Sequence, residues 1–179
     1  MSRIRNQLSC VVCERVGESE ARSPLVKSTS VARGTSRILL TVVVTDRREI
    51  STQGQNDAHD ITGAVAAAVS ASGISAGVAT VFVVGSTAGV TTIEFEPGAI
   101  ADLNQVFEEL APRRGEYRHH LRWGDDNGSS HVRAAMLGPS IAVPFVAGAL
   151  TLGTWQQIML LEFDTRPRRR EIVIQIVGD

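Results

Sequence analysis

The spacing of apolar positions changes several times along the chain and predicts strands and helices in mixed order. β-Branched runs bounded by turn residues predict strands, and apolar residues three or four positions apart predict helices. The predicted strands cover residues 38–45, continued after a bend by 48–53, then 77–84, 90–96, 140–146, 148–152, 156–164 and 170–177. The predicted helices cover 61–72 and 100–110, and a helical turn covers 131–138. Helices among such strands indicate an α+β fold, with two to three helices on one face of a mainly antiparallel sheet.

The helix boundaries follow from residues with known capping preferences. Asp60 can accept a hydrogen bond from the first turn of the helix at 61–72. Gly73 suits the left-handed position that ends that helix. The helix at 100–110 is the clearest in the chain, because its apolar residues form one stripe with acidic residues opposite and Pro112 follows.

The first 37 residues differ in character from the remainder of the chain. They lack apolar periodicity and are rich in Arg, Ser and Glu, so we interpret 1–37 as a poorly ordered extension of a single domain at 38–179. Cys10 and Cys13 form a CxxC pair in this extension, but a zinc site needs four ligands and no second pair follows. The start also lacks the apolar segment of a signal peptide, and we expect a cytoplasmic protein.

Charge and composition narrow the classes of partner. The formal net charge of −1 gives no field that would attract nucleic acid or an anionic membrane, which favours a small molecule or a protein. Lys27 is the only lysine, which argues against Schiff-base chemistry and a P-loop. The uncharged stretches 61–93 and 134–161 are long enough to span a bilayer, but glycine and proline interrupt them. They therefore predict buried strands and a core helix, not membrane spans.

One loop concentrates titratable side chains. His119 and His131 lie 12 positions apart, and Asp125 lies between them. Imidazole and carboxylate groups serve in metal binding and in proton transfer, and the glycines in this loop would let the chain fold back on itself. The alternative is a solvated loop whose polar groups only cap turns and the helix that follows. Arg133 would bind a phosphate or pair with Asp125.

The turn from Gly85 to Gly89 follows a predicted strand, as a nucleophile elbow would. An elbow leads into a helix, whereas residues 90–96 predict a strand, so Thr87 is an improbable nucleophile. The backbone N–H groups and the hydroxyls of Ser86 and Thr87 would instead cradle a phosphate. The alternative is a simple hairpin turn.

Two further polar groups have plain and functional interpretations. Glu94 and Glu96 are two positions apart, so they are predicted to share one face of a strand. Glu94 would act there as a base or a metal ligand. The alternative is that the two carboxylates only make that face polar. Arg166, Arg168, Arg169 and Arg170 predict a solvated hairpin tip.

Five segments carry motifs of a known family: HDIT (59–62), GVATVFVVGSTAGVTTIEFEPG (77–98), YRHHLRWGDDNGSSHVRAAMLGPS (117–140), GTWQQI (153–158) and RPRRREIVIQIVGD (166–179). Together they resemble the YjbQ-like family, whose members are named secondary thiamine-phosphate synthases. The resemblance implies an α+β fold, a homotrimer and a polar cleft. The implied reaction joins hydroxymethylpyrimidine diphosphate to thiazole phosphate and releases pyrophosphate.

The resemblance also implies roles for individual residues. His119, Asp125 and His131 would be ligands of a divalent metal, Mg²⁺ or Zn²⁺, or acid/base groups, with Glu94 as a further catalytic residue. The implied binding residues for a phosphorylated metabolite are Ser86, Thr87, Asn127, Arg133, Trp155 and Gln156. Trp155 and Trp123 are the candidates for an aromatic face against the pyrimidine.

Two departures from the family pattern leave other functions open. Many relatives carry His where this chain has Gly85 and where it has Ser129, and the second change removes a potential metal ligand. The alternatives are a non-catalytic trimeric protein that binds a metal or a phosphorylated metabolite, and a metal-dependent hydrolase.

Overall fold

A computed structural model describes residues 41–179 of the chain. The strands are β1 Val42–Thr52, β2 Ala58–Asp60, β3 Ala76–Val84, β4 Ala88–Ile93, β5 Ser140–Val146, β6 Ala149–Leu150, β7 Gln157–Glu162 and β8 Arg168–Gly178. The helices are α1 Thr62–Ser72, α2 Pro97–Leu110, α3 His120–Trp123 and α4 Gly128–Leu137. The predictions for the extension at 1–37, including the CxxC pair, lie outside the described residues.

The strands form two sheets in which every pairing is antiparallel. One sheet has five strands in the order β1-β8-β3-β5-β6, and the other has three in the order β2-β7-β4. The predicted α+β class with mainly antiparallel sheets is confirmed. The strand predicted to bend near residues 46–48 runs without interruption through β1, paired with β8 along its whole length.

The main core lies between α1 and the five-stranded sheet. Val65 and Val69 of α1 are fully buried, and they belong to one apolar cluster with Ile172, Ile174 and Ile176 of β8. Alternate side chains of a strand point to one face, which places the three isoleucines together. Burying side chains of this size stabilises the fold by about 1.5–3 kcal/mol each.

Strand β7 separates this core from a second, smaller one. Ile158 and Leu160 belong to the main cluster, whereas Met159 and Leu161 pack in the second cluster with Phe163. Buried residues of α2 and α4, Phe107 and Ala134, complete the second cluster, and the Phe107 and Phe163 rings meet edge to face at 4.9 Å. The uncharged run of β7 is therefore buried on both faces, because a layer packs on each side of it.

The predicted caps of α1 are present. An Asp60 carboxylate oxygen accepts a hydrogen bond from the Thr62 N–H at 2.8 Å, and Gly73 ends the helix with a φ of +70°. Among residues 41–179, no helix has the length and apolar character needed to cross a membrane.

Helices α2 and α4 begin earlier than the apolar pattern predicted. Pro97 occupies the first turn of α2, and the Glu96 carboxylate accepts hydrogen bonds from the Gly98 and Ala99 N–H groups. The predicted strand at 90–96 therefore ends at Ile93. Likewise, the predicted helical turn at 131–138 is the later part of a ten-residue helix. The described residues thus contain four helices instead of two to three, because α3 also forms within the predicted loop.

Candidate functional site

The loop between α2 and α4 folds back so that the His119 and His131 rings pack against each other at a tilt. The ring centroids are 4.5 Å apart and the planes are inclined by 54°. The chain reverses at Gly124, with a φ of +65°, and at Asp126, with a φ of +52°. An Asp125 carboxylate oxygen lies 3.8 Å from His119 Nε2. The structure therefore places the three predicted residues next to one another.

This arrangement does not fit a preformed metal centre. Within residues 41–179, no group of three or more His, Cys, Asp or Glu side chains is arranged to hold a metal ion. The His119 and His131 rings pack against each other, whereas ligands of one ion direct their lone pairs at a common point. His119, Asp125 and His131 as placed are better suited to donating and accepting protons at a bound ligand.

A cavity of about 310 Å³ opens beside His131, and we call it the His131 cavity. Gly85 and Ser86 of the turn line the cavity, and α4 contributes Ala134 and Ala135 to its wall. Ser86 is exposed, and the Ser86 side chain makes no hydrogen bond to another described residue. Ser86 and His131 are thus the two predicted site residues that share this cavity.

Thr87 is buried below the turn and does not face a ligand. The Thr87 hydroxyl donates to Asp164 Oδ2 at 2.9 Å and accepts from Arg170 Nη2 at 2.7 Å. The prediction that this hydroxyl cradles a phosphate is therefore corrected, because both interactions hold it within a buried polar network.

That network contains two ion pairs and was missed by the sequence analysis. Arg170 donates from Nε and Nη2 to the Glu162 carboxylate at 2.6 and 2.5 Å, and the Arg168 guanidinium pairs with Asp164 at 2.7 Å. Arg170 is 6% exposed and Glu162 is 1% exposed. The predicted solvated hairpin tip is correct for Arg166 and Arg169, which are exposed, but wrong for Arg170.

Arg133 is also buried, and its predicted phosphate role is corrected. Only 2% of the residue is exposed. Its Nε donates to the Ala111 carbonyl at 2.9 Å and its Nη2 donates to Glu108 Oε2 at 2.6 Å. The hydrogen bond from Arg133 lowers the pKa of the Glu108 carboxyl. Arg133 therefore ties α4 to the end of α2 and does not pair with Asp125.

The first turn of α4 contains buried polar atoms without partners. Asn127 Oδ1, Ser129 Oγ and Ser130 Oγ make no hydrogen bond to any described residue. Asn127 borders a second cavity, of about 240 Å³, whose wall also includes Asp125 and Arg166. Unpaired buried polar groups cost free energy, so this turn retains hydrogen-bonding capacity beside the His119 and Asp125 side chains.

Trp155 and Gln156 lie at the other end of β4 from the His131 cavity. Gln156 Nε2 donates to Thr92 Oγ1 at 3.2 Å, while Ala88, at the start of β4, borders the cavity. The four residue steps from Ala88 to Thr92 correspond to roughly 14 Å of strand. Trp155 is 70% exposed, so the structure does not bring this predicted pair together with the histidines.

Glu94 is exposed and follows the end of β4. The prediction that Glu94 and Glu96 share a strand face is wrong, because the Glu96 carboxylate caps α2 instead. The capping hydrogen bonds from Gly98 and Ala99 lower the pKa of Glu96. Neither carboxylate borders the His131 cavity.

Acidification is expected to weaken the network around Asp164. Burial raises the pKa of this carboxyl, but hydrogen bonds from Thr87 and Arg168 outweigh burial and lower it overall. A lowered pKa in the folded state contributes stability that is complete above the unfolded value of about 4 and is lost as pH falls through the folded value. We therefore expect the free energy of unfolding to decrease as the pH falls below about 4. The lowered pKa of Glu108 contributes to the same loss.

Urea unfolding between about pH 3 and pH 7 measures this dependence. Thr87→Val removes one hydrogen bond that lowers the Asp164 pKa, so the variant should lose less stability than the wild type over the same acidic interval. Equal losses in the two proteins would contradict the assignment to Asp164.

Comparisons with known proteins extend over most of the chain. A family model described as UPF0047 protein YjbQ-like matches residues 46–179. A UPF0047 protein of Synechocystis is 35% identical over 131 residues, which are 73% of this chain and 88% of that protein. The UPF0047 protein YugU of Bacillus subtilis is 34% identical over 131 residues, which are 73% of this chain and 96% of that protein.

Solved structures show the same architecture. A YbjQ-like protein of unknown function from Sulfolobus solfataricus has a TM-score of 0.73 and 33% identity, covering 78% of this chain and 100% of that one. A yjbq/upf0047 family protein from Clostridium acetobutylicum has a TM-score of 0.64 and 35% identity, covering 72% of this chain and 98% of that one. The likeness in sequence and structure therefore includes the elements that form the His131 cavity.

Proposed function

Because this chain belongs to the YjbQ-like UPF0047 family, we propose that it is a cytoplasmic, homotrimeric enzyme of the thiamine-phosphate synthase type. In the proposed reaction, the thiazole nitrogen attacks the exocyclic methylene carbon of the pyrimidine. The bond from that carbon to the diphosphate oxygen breaks, and pyrophosphate leaves with the electron pair. The substrates are thus two small phosphorylated molecules.

The observation that carries this proposal is that His131, whose ring packs against His119, shares a cavity with the Ser86 turn. The cavity there, of about 310 Å³, has the size of a small-molecule site. A leaving diphosphate gains negative charge at its bridging oxygen, and donors placed in a cavity stabilise that charge. We assign this role to His131, with Ser86 as a second donor to the diphosphate.

His119 and Asp125 support His131 in this proposal. The centroids of the His119 and His131 rings are 4.5 Å apart, and an Asp125 carboxylate oxygen lies 3.8 Å from His119 Nε2. Asp125 and His119 therefore position the His131 ring, which acts as the hydrogen-bond donor at the cavity.

A second candidate is a non-catalytic protein that binds a phosphorylated metabolite in the same cavity. One observation favours it: neither Trp123 nor Trp155 borders the His131 cavity, although the pyrimidine cation of the synthase reaction is best stabilised by an aromatic face. Under this candidate, Ser86 and His131 bind the phosphoryl group and no bond is broken.

The test is an assay of the purified full chain with hydroxymethylpyrimidine diphosphate, with and without thiazole phosphate. Pyrophosphate release and thiamine phosphate formation that both require the thiazole substrate would support the synthase. Release without the thiazole substrate would indicate a hydrolase, and saturable binding without release would indicate the non-catalytic candidate. Parallel reactions with Mg²⁺, with Zn²⁺ and with a chelator test whether turnover depends on a metal.

A further inference from the structure

The Arg170 guanidinium has one nitrogen that the protein does not use. Nε and Nη2 donate to the Glu162 carboxylate, and Nη2 also donates to the Thr87 hydroxyl. Nη1 makes no hydrogen bond to a described residue. It is also not one of the fully buried polar atoms that lack a partner. The side chain as a whole is only 8% exposed. A nearly buried cation therefore retains free donor capacity at one edge.

Gly85 determines where this free edge lies. A Cβ atom built on Gly85 would come within 2.8 Å of Arg170 Nη1, which is closer than real side chains approach. The absence of a side chain at position 85 thus allows the guanidinium to reach the underside of the turn. Gly85 also borders the His131 cavity together with Ser86. The free Nη1 edge therefore adjoins Gly85 in the wall of that cavity, although Arg170 is not itself one of the lining residues.

The backbone of the same turn adds uncompensated donors. Within residues 41–179, the N–H groups of Ser86 and Thr87 donate no hydrogen bond, although the Thr87 carbonyl accepts one from the Phe163 N–H at 3.0 Å. Consecutive free N–H groups in a turn form a concave binding site for an anion. The two free N–H groups and the exposed Ser86 hydroxyl therefore belong to the same turn that Arg170 Nη1 adjoins.

Nearby carboxylates are already engaged. Glu162 is paired with Arg170 itself, and Asp164 is paired with Arg168 and hydrogen-bonded to Thr87. Two arginines thus balance two carboxylates, and no acidic side chain of the described residues lines the His131 cavity. Arginine suits this use because its planar fork can bind a carboxylate with one edge and a phosphoryl oxygen with another.

We propose that Arg170 is an anion-binding residue whose Nη1, beneath the Gly85–Ser86–Thr87 turn, binds a phosphoryl oxygen of the ligand in the His131 cavity. The identity of that ligand as a diphosphate rests on the proposed function, whereas binding of the anion itself does not. Arg170 replaces Thr87 and Arg133, the buried residues to which the sequence assigned the phosphate.

Calorimetric titration of the full chain with inorganic pyrophosphate tests this proposal. Wild-type protein is expected to bind saturably, and Arg170→Lys is expected to weaken binding by about tenfold or more, the loss of a charge-assisted hydrogen bond. Lysine keeps the positive charge but cannot reach Glu162 and the turn together. Arg169→Lys is the matched control, because Arg169 is exposed on the neighbouring position of β8 and pairs with Glu49; it should bind as the wild type does.

Gly85→Ala keeps both Arg170 and Glu162 in the chain and provides a second test if Arg170→Lys does not fold. Because Gly85 has a φ of +144°, the alanine also strains the turn. Its added Cβ would displace Nη1, so pyrophosphate binding should weaken here too. Wild-type affinity in a folded Arg170→Lys or Gly85→Ala protein, or no saturable binding of pyrophosphate by the wild type, would overturn the proposal. Normal pyrophosphate binding without thiamine phosphate formation would refute the synthase and leave the Arg170 site standing.

Discussion

Replacing Glu162 with alanine is expected to destabilise the protein by about 3–5 kcal/mol, because Arg170 would remain buried without its counter-charge. The Glu162 carboxylate accepts two hydrogen bonds from Arg170. It also accepts from the Thr52 hydroxyl and from the Asp164 N–H, each at 2.8 Å. Loss of the carboxylate would therefore leave donors on three neighbouring residues without an acceptor.

Urea unfolding of the wild type, Glu162→Ala and Glu49→Ala measures this effect. Glu49 is the matched control, because it also pairs with an arginine of β8, Arg169, but on the exposed face. Exposed pairs contribute at most about 1 kcal/mol. Equal losses in the two variants would contradict the assigned importance of burial.

A double variant separates the charge from the packing. Glu162→Met combined with Arg170→Met removes both charges and retains apolar volume, so it should recover part of the stability lost in Glu162→Ala. If the double variant is no more stable than the single one, the cost arises from the lost contacts to Thr52 and Asp164 and not from an unpaired Arg170.

The buried arginine also shows where sequence reasoning fell short. Ile172, Ile174 and Ile176 alternate along β8 and lie in the main core, and the same alternation places Arg170 on that inner face. The alternation of side chains along β8 therefore predicts that Arg170 is buried. Four arginines close together in sequence indicate a solvated tip instead, and Glu162, the carboxylate that pairs with Arg170, comes from another strand.

Local features of the fold were accessible from sequence because they depend on near neighbours. The Asp60 and Gly73 caps of α1 and the buried run of β7 follow from short-range chemistry and apolar spacing. The apolar pattern predicts the start of α2 too late, because Pro97 is also typical of a strand end. In the structure, proline occupies the first turn of the helix, which it suits equally well.

The candidate site was predictable only in part. The reversal at Gly124 could be anticipated from the glycines, and it places His119 near His131. The burial of Arg133 could not be anticipated, because its partners Glu108 and Ala111 lie at the end of another helix. The position of Trp155 at the far end of β4 likewise depends on strand pairing across the sheet, which residue types do not encode.

Removing the His131 imidazole is expected to have the largest effect on turnover. Under the proposed function, His131→Ala should lower kcat for thiamine phosphate formation by about 10²–10⁴-fold, the contribution of a positioned acid/base group. Asp125→Ala should lower it as well, because Asp125 acts on the histidine pair through His119. Asp125 is exposed in the loop before α4, and His131 is half-buried in α4. We expect both variants to keep the oligomeric state of the wild type, as measured by gel filtration.

The matched control for these variants is His59→Ala. His59 is also half-buried and also lies beside a carboxylate, with Nε2 at 2.9 Å from Asp57 Oδ2, but it belongs to β2 and does not border the His131 cavity. Steady-state kinetics should therefore give wild-type kcat and KM for His59→Ala. Retained turnover in both His131→Ala and Asp125→Ala would refute the site assignment. If His131→Ala loses turnover but binds pyrophosphate as the wild type does, the proton donor at His131 is distinct from the anion contact at Arg170. The two residues would then act on different atoms of the same ligand.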